Sequence, residues 1–278
     1  MKFRQTLYPS GKRWTALGCR ADTIQRLSAA FVLPGGSERP KGLTGFTLKA
    51  MDARQGILLN HLIEEYVETT EPVGSKLLAK KYEMAVSPAT IRNDMVILEE
   101  EGYLRQPHIS AGRVPTERAY RYWIEHSEVK PVERHERTMY ERLWADVDEV
   151  VRFKSLARAL SDEAENAVVI ALGEDDFYYT GLSALFAQPE FEEQGYTVSL
   201  AKVIDHLDQI LGELVKEREG PQTLLGSDNP FGNACGFVGT TYVRKPRQRG
   251  CIGILGPLRM HYPRNIARMR FIAELING

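Results

Sequence analysis

The chain has 278 residues, of which 43% are hydrophobic and 26% charged, with a net charge of −1; it is neither a disordered polyelectrolyte nor a fibrous protein, and its length suits about two domains. No apolar run approaches the roughly 18 to 20 residues needed to cross a bilayer, so no membrane role is expected. Cys19, Cys235 and Cys251 form no CxxC pair and lie in no histidine-rich context, which argues against a zinc site or a disulfide framework and for a reducing cytoplasm.

The charge is unevenly spread: residues 1–50 sum to +7, residues 51–126 to −3 and residues 127–278 to −5. Any basic face for nucleic acid must therefore come from placement, because total charge does not supply one. Residues 1–50 carry LPGGSERPKGLTG and scattered Arg and Lys, with only ADTIQRLSAAFVL suggesting a short helix. They read as a loosely ordered N-terminal extension, a leader or mis-started segment, with a basic arm touching phosphates as the functional alternative. The segment does not fit a signal peptide, which needs a clean apolar core followed by a small-residue cleavage site.

From Asp52 the pattern sharpens. In DARQGILLNHLIEEYVETT, Leu58, Leu59, Leu62, Ile63, Tyr66 and Val67 recur at three- and four-residue steps, the stripe of an amphipathic helix. Asn60, His61, Glu64, Glu65 and Glu68 fall on the face assigned to water. EPVGS breaks that helix at Pro72 and Gly74, and Ser75 is expected to cap a second helix, SKLLAKKY, buried through Leu77 and Leu78. Ser87 then caps a third helix with Pro88 at its first position, where a missing N–H costs nothing.

In the third helix Ile91, Met95 and Leu98 fall at i, i+4 and i+7 and define the inward face. The opposite side presents Ala89, Asn93 and Val96, flanked by Thr90 and Arg92. Small side chains let a backbone approach the major groove, Asn can pair bidentately with adenine, and Arg can take guanine or phosphate. The acidic run Glu99, Glu100 and Glu101 sits at the far end, away from the expected phosphates.

Gly102 closes this helix, and YLRQPH, ISAGR and VPT read as strand, turn and strand, with Ala111 and Gly112 forming a tight turn. Arg105, His108, Ser110 and Arg113 cluster on the hairpin, where they could grip phosphates or enter the minor groove. Ser75 and Lys76, at the front of the second helix, join the candidate DNA contacts. Helix, turn, helix and wing describe a winged helix-turn-helix DNA-binding domain over residues 51–126. The alternative is the same unit serving only protein contacts.

TERAYRYWIEH continues as a helix with Tyr120, Trp123 and Ile124 on one side, an aromatic stripe that suits either a core or a dimer seam. The charged RHERTMYERLWADVDEVV follows as a connecting helix that could end in partner contacts. NAVVIALG reads as a buried strand, DFYYTGLSALF as strand into helix, and SLAKVIDHLDQILGELVKE as an amphipathic helix. TLLGSDN, ACGFVGTTYV and GCIGILG are three successive strands, and RNIARMRFIAELI is a closing helix. Strands in a row between helices predict an α+β class.

No catalytic constellation emerges. Gly181 to Ser183 lacks the rest of a nucleophile elbow, and GFVGTTY and GILGPLR match no phosphate-binding spacing. Asp175 with Asp176, and Asp228 beside Asn229, are ordinary turn chemistry, and His126, His135, His206 and His261 show no ligand spacing. Neither an enzyme nor a cofactor or metal is implied.

EYVETTEPVGSKLLAKKY and VSPATIRNDMVILEEEGYLRQPHISAGRVPTERAYRYW closely resemble the N-terminal domain of HrcA-type heat-inducible transcription repressors, without a gap over Ala53 to Glu125. Spaced matches follow at Leu185 to Phe191, Leu224 to Asn229 and Gly250 to Met269. The resemblance implies a homodimer on an inverted-repeat operator of double-stranded DNA upstream of chaperone genes. It also implies a GAF-like α/β effector and dimerisation domain over 127–278, and control by the GroE chaperonin. Carried over by position, Ser87, Ala89, Thr90, Arg92 and Asn93 would contact DNA from the helix, and His108, Ser110 and Arg113 from the wing. Family members usually carry an extra dimerisation segment for which residues 127–278 leave little room, and residues 1–50 have no counterpart. A ligand-sensing winged-helix regulator, its effector domain binding a small molecule, is the competing function.

Overall fold

The computed structural model describes residues 51–277 apart from 147, 174–175, 192–200, 202, 218–219, 227–228 and 245–247. The N-terminal extension with its short helix, Cys19, Asp175 and Asp228 lie outside the described residues.

Helix α1 (Ala53–Thr69) starts where sequence expected it, because Asp52 and Gln55 form a reciprocal cap: Asp52 Oδ1 accepts from the Gln55 amide at 2.8 Å and Gln55 Oε1 from the Asp52 amide at 3.1 Å. Leu58, Leu59, Leu62 and Ile63 are fully buried, each contributing on the order of 1.5–3 kcal/mol. Glu65, expected in water, is buried instead. Its carboxylate accepts from Lys81 Nζ at 2.6 Å and from the Tyr82 hydroxyl at 3.2 Å, and that pairing is what makes burial tolerable.

Helix α2 (Ser75–Lys81) departs from expectation at its start. Gly74 holds the cap position without a side-chain bond, and Ser75 is a buried first-turn residue. Leu78 is fully buried but Leu77 is exposed: this short helix packs along the narrow stripe of Ser75 and Leu78, from which Leu77 is turned by about 100°, whereas α1 buries adjacent leucines on a wider face. Helix α3 (Pro88–Glu100) begins as expected: Ser87 Oγ accepts from the Thr90 amide at 3.2 Å, Pro88 occupies the first turn, and Ile91, Met95 and Leu98 are buried.

Strands β1 (Leu104–Arg105) and β2 (Val114–Pro115) pair antiparallel. They are shorter than the sequence suggested, and no tight Ala111–Gly112 turn joins them; residues 106–113 form a longer loop, with the Ala111 amide bonded to the His108 carbonyl at 2.9 Å. Gly112 serves a close approach instead: a methyl there would run into the Val73 carbonyl, and Val73 and Arg113 exchange backbone bonds of 2.9 Å that fasten the loop to the α1–α2 connection.

Helix α4 (Glu117–His126) turns Tyr120 and Trp123 into the core, so these aromatics are packing residues in this chain. Helices α5 (Arg134–Trp144) and α6 (Glu149–Ala164) follow. Strands β3 (Ala167–Ala171), β4 (Phe177–Thr180), β5 (Gly220–Leu225), β6 (Cys235–Arg244) and β7 (Gln248–Pro257) form one antiparallel sheet in the order β4-β3-β7-β6-β5. Helices α7 (Leu182–Phe186), α8 (Leu207–Glu217) and α9 (Tyr262–Asn277) complete a mixed α+β architecture.

Strand alternation divides the core. Val168, Ile170, Val238, Ile252 and Ile254 join the cluster shared by α6, α9 and the α1–α4 head. Ala167, Val169, Phe237 and Leu255 face α7 and α8. The glycines of GFVGTTY and GILG are structural: Gly239 pairs with Gly253, and the Phe237 ring lies over both, where a side chain at either position would collide with it. Cys235 and Cys251 are buried, which pushes both thiols up to about 12 and leaves them inert near neutral pH. Among the described residues no helix is long and apolar enough to cross a membrane.

Candidate nucleic-acid interface

The front of α3 is built by what lies behind it. Asp94 follows Asn93 but points inward, where it is buried and takes two bonds from Arg54 of α1, Nε to Oδ2 and Nη2 to Oδ1, both 2.9 Å. The hydrogen bond and charge of Asp94 raise the Arg54 guanidinium above its ordinary value. A bidentate pair fixes direction as well as distance, and here it fixes the rotation of α3 about its own axis. Sequence reasoning missed Asp94, because its partner lies forty positions away.

With that rotation set, Ser87, Ala89, Arg92 and Asn93 are exposed and Thr90 half-buried, its hydroxyl 3.0 Å from that of Ser87. Lys76 is exposed at the front of α2, whereas Ser75 is covered.

The hairpin divides differently from expectation. Arg105, His108 and Ser110 are exposed. The Arg113 side chain is only 14% exposed and turns back to Glu99 of α3, Nη2 to Oε2 at 2.9 Å, so it braces the wing and does not present itself to a duplex. Glu99 also accepts from the Gln106 amide at 3.1 Å. Gln106 Nε2 in turn donates to the carbonyls of Ile109 at 2.9 Å and Ala111 at 3.0 Å. These bonds make the loop a preformed shape, with Ile109 at its outermost point, 99% exposed.

Arg268 of α9 and Glu136 of α5 are both buried and joined by two bonds, Nε to Oε2 at 2.8 Å and Nη2 to Oε1 at 3.0 Å, with the Tyr140 hydroxyl donating to Oε2 at 3.3 Å. Burial alone would raise the Glu136 carboxyl, but the Arg268 bond and charge outweigh it and hold the group below its ordinary value. His135, Glu136 and Glu163 bring ligand-type atoms within 4.8 Å of one another, a grouping hidden from sequence because Glu163 comes from α6. Arg268 already takes both oxygens of its central carboxylate.

Between the head and α9 lies a cleft of about 250 Å3 that includes Val67, Asn166, Gln188, Arg259 and Arg268. Two of its arginines are committed: Arg259 donates to Glu190, to Gln188 Oε1 at 2.6 Å and to the Val67 carbonyl at 3.2 Å, and Arg268 is held by Glu136, while Arg264 is exposed at the cleft.

A helical head with an exposed helix front and a braced hairpin beside it, set on an antiparallel-sheet body, defines a two-part α+β protein. The chain belongs to the HrcA family, whose model, described as the HrcA protein C terminal domain, matches residues 96–266. The heat-inducible transcription repressor HrcA of Thermobifida fusca is 51% identical over 105 residues, 36% of this chain and 31% of that protein. Its namesake in Symbiobacterium thermophilum is 44% identical over 126 residues, 44% of this chain and 36% of that protein. The matched stretch thus spans about a third of each relative's length. A crystal structure of a hypothetical protein shares the fold, with a TM-score of 0.64 at 18% identity over 82% of this chain and 97% of that one.

Proposed function

We propose that the chain is a transcription repressor of heat-shock (chaperone) genes, with residues 51–126 as a winged helix-turn-helix DNA-binding domain and 127–278 as a GAF-like effector and dimerisation domain. The observation that carries this is the clasped rotation of α3, which leaves Arg92 and Asn93 exposed at the front of a capped helix while Asp94 is locked inward. Ser87, Ala89 and Thr90 would lie against the major groove, with Arg92 and Asn93 taking bases or phosphates. Lys76, Arg105, His108 and Ser110 would hold flanking phosphates. Ser75 and Arg113 leave that set because they are covered or turned inward.

A homodimer would place two such helices on the half-sites of an inverted repeat, because twofold symmetry in the protein maps onto twofold symmetry in the operator. Family resemblance adds a cytoplasmic location and GroE chaperonin as the partner that keeps the repressor folded. Stress that diverts chaperonin would then lower the active population by mass action. Equal operator affinity after refolding with and without chaperonin would remove that link. The ligand-sensing alternative has less support, since Arg259 and Arg268, the covered arginines of the cleft, already have partners and Arg264 is exposed to solvent.

The test is fluorescence anisotropy with an inverted-repeat duplex. Affinity should fall steeply with salt, and Arg92→Ala should weaken it by about 1–3 kcal/mol if Arg92 reads a base. Salt-independent binding, or none, would sink the proposal.

A further inference from the structure

Ile109 is 99% exposed, although its loop is among the better braced on the head. Leaving an isoleucine wholly in water gains nothing for folding, and the bonds from Gln106 to the Ile109 and Ala111 carbonyls, with Glu99 holding the Gln106 amide, keep it from folding back. Of the two hairpin arginines expected to grip phosphates or enter the minor groove, Arg113 points the other way, toward Glu99, and Arg105 is exposed but sits on β1, four residues before Ile109. The tip therefore presents an aliphatic side chain between His108 and Ser110, two exposed polar residues suited to phosphate oxygens.

Resting on the DNA-binding reading above, we infer that Ile109 enters the minor groove next to the segment read by α3 and selects A·T over G·C there by exclusion. The chemistry is specific. In the minor groove A·T and T·A show only acceptors, whereas G·C adds the guanine 2-amino donor. An aliphatic side chain cannot accept from that amine; it would strip the amine of water and leave it unpaired, a penalty that A·T does not incur. Arginine in the same place would act mainly through groove charge and width, so an isoleucine gives a different signature.

The experiment uses the full chain and duplexes enriched by it from a random library. At the positions flanking the α3 half-site, replacing A·T by G·C should weaken wild-type binding about tenfold, within the usual range for one mismatched pair. Inosine·C, which keeps the major-groove face of G·C but lacks the 2-amino group, should restore it. Ile109→Ser should bind A·T, G·C and inosine·C flanks within about twofold of one another, while thermal unfolding stays unchanged because the side chain contacts solvent. Inosine·C behaving like G·C, or Ile109→Ser keeping the full discrimination, overturns the inference and leaves DNA binding standing. Failure of the wild-type chain to enrich any duplex overturns the DNA-binding reading itself.

Discussion

The head and the sheet body bury charge in opposite ways. In the head each buried carboxylate is matched by a cation that still reaches water: Asp94 is 4% exposed against 48% for Arg54, and Glu65 4% against 43% for Lys81. In the body both partners are enclosed, Arg268 at 4% and Glu136 at 6%. A half-exposed clasp orients a helix while desolvating little of its cation, so it can aim a surface without dominating stability. An enclosed pair has no such release, because losing one member strands the other in a low-dielectric interior.

That contrast is easiest to break at its strong end. Glu136→Ala should cost about 3–5 kcal/mol in urea unfolding, since it leaves Arg268 buried without its main partner. Replacing both residues by apolar ones of similar volume should recover most of the loss. A cost below about 1 kcal/mol for the single variant would mean that water reaches Arg268, and the distinction between the two regions would fail.

Glu99→Ala is intermediate, at about 1–3 kcal/mol, because the largely covered Arg113 and the Gln106 amide both lose a partner. Its signature is local: faster hydrogen exchange at Gln106 and through the wing, with α9 unaffected.

Smaller again is a pH effect at the junction of head and body. Burial lowers the affinity of His261 for a proton, and the nearby Arg264 and Arg268 act in the same direction, with Glu68 opposing; its ring packs 5.4 Å from that of Trp123. The folded state thus prefers the neutral imidazole. As pH falls below about 6.5 the unfolded chain takes up the proton first, so stability declines through that window and down to the depressed folded value. The thermal midpoint of wild type should drop over this range more than that of His261→Gln, and parallel curves would exclude His261 as a cause.

Smallest is Arg92→Ala, which should change unfolding stability by less than about 0.5 kcal/mol while weakening DNA binding as stated above. A large loss of stability would mean that the exposed front of α3 is structural.

The elements most legible in the sequence were those whose signals are local. Ser87 and Pro88 announced the start of α3, its i, i+4, i+7 stripe gave the buried face, and three apolar runs gave β5, β6 and β7. Helix α6 was overlooked although Phe153, Leu156, Ala157 and Leu160 repeat at helical spacing and are all buried; the charged residues around them masked the stripe. The turn expected at Ala111–Gly112 was misplaced because Gly112 answers to a carbonyl on another segment, Val73.

By itself the sequence determined which residues could start, stop and face inward along each helix and strand, because caps, periodicity and turn chemistry act over a few neighbouring residues. Only the tertiary structure decided which charges were spent internally. Asp94, Glu65 and Arg113 look like surface residues one at a time, and each is turned inward by a partner brought near through folding. The same long-range bonding set what remained outside: Arg92 and Asn93 on the helix front, and Ile109 at the tip of the wing.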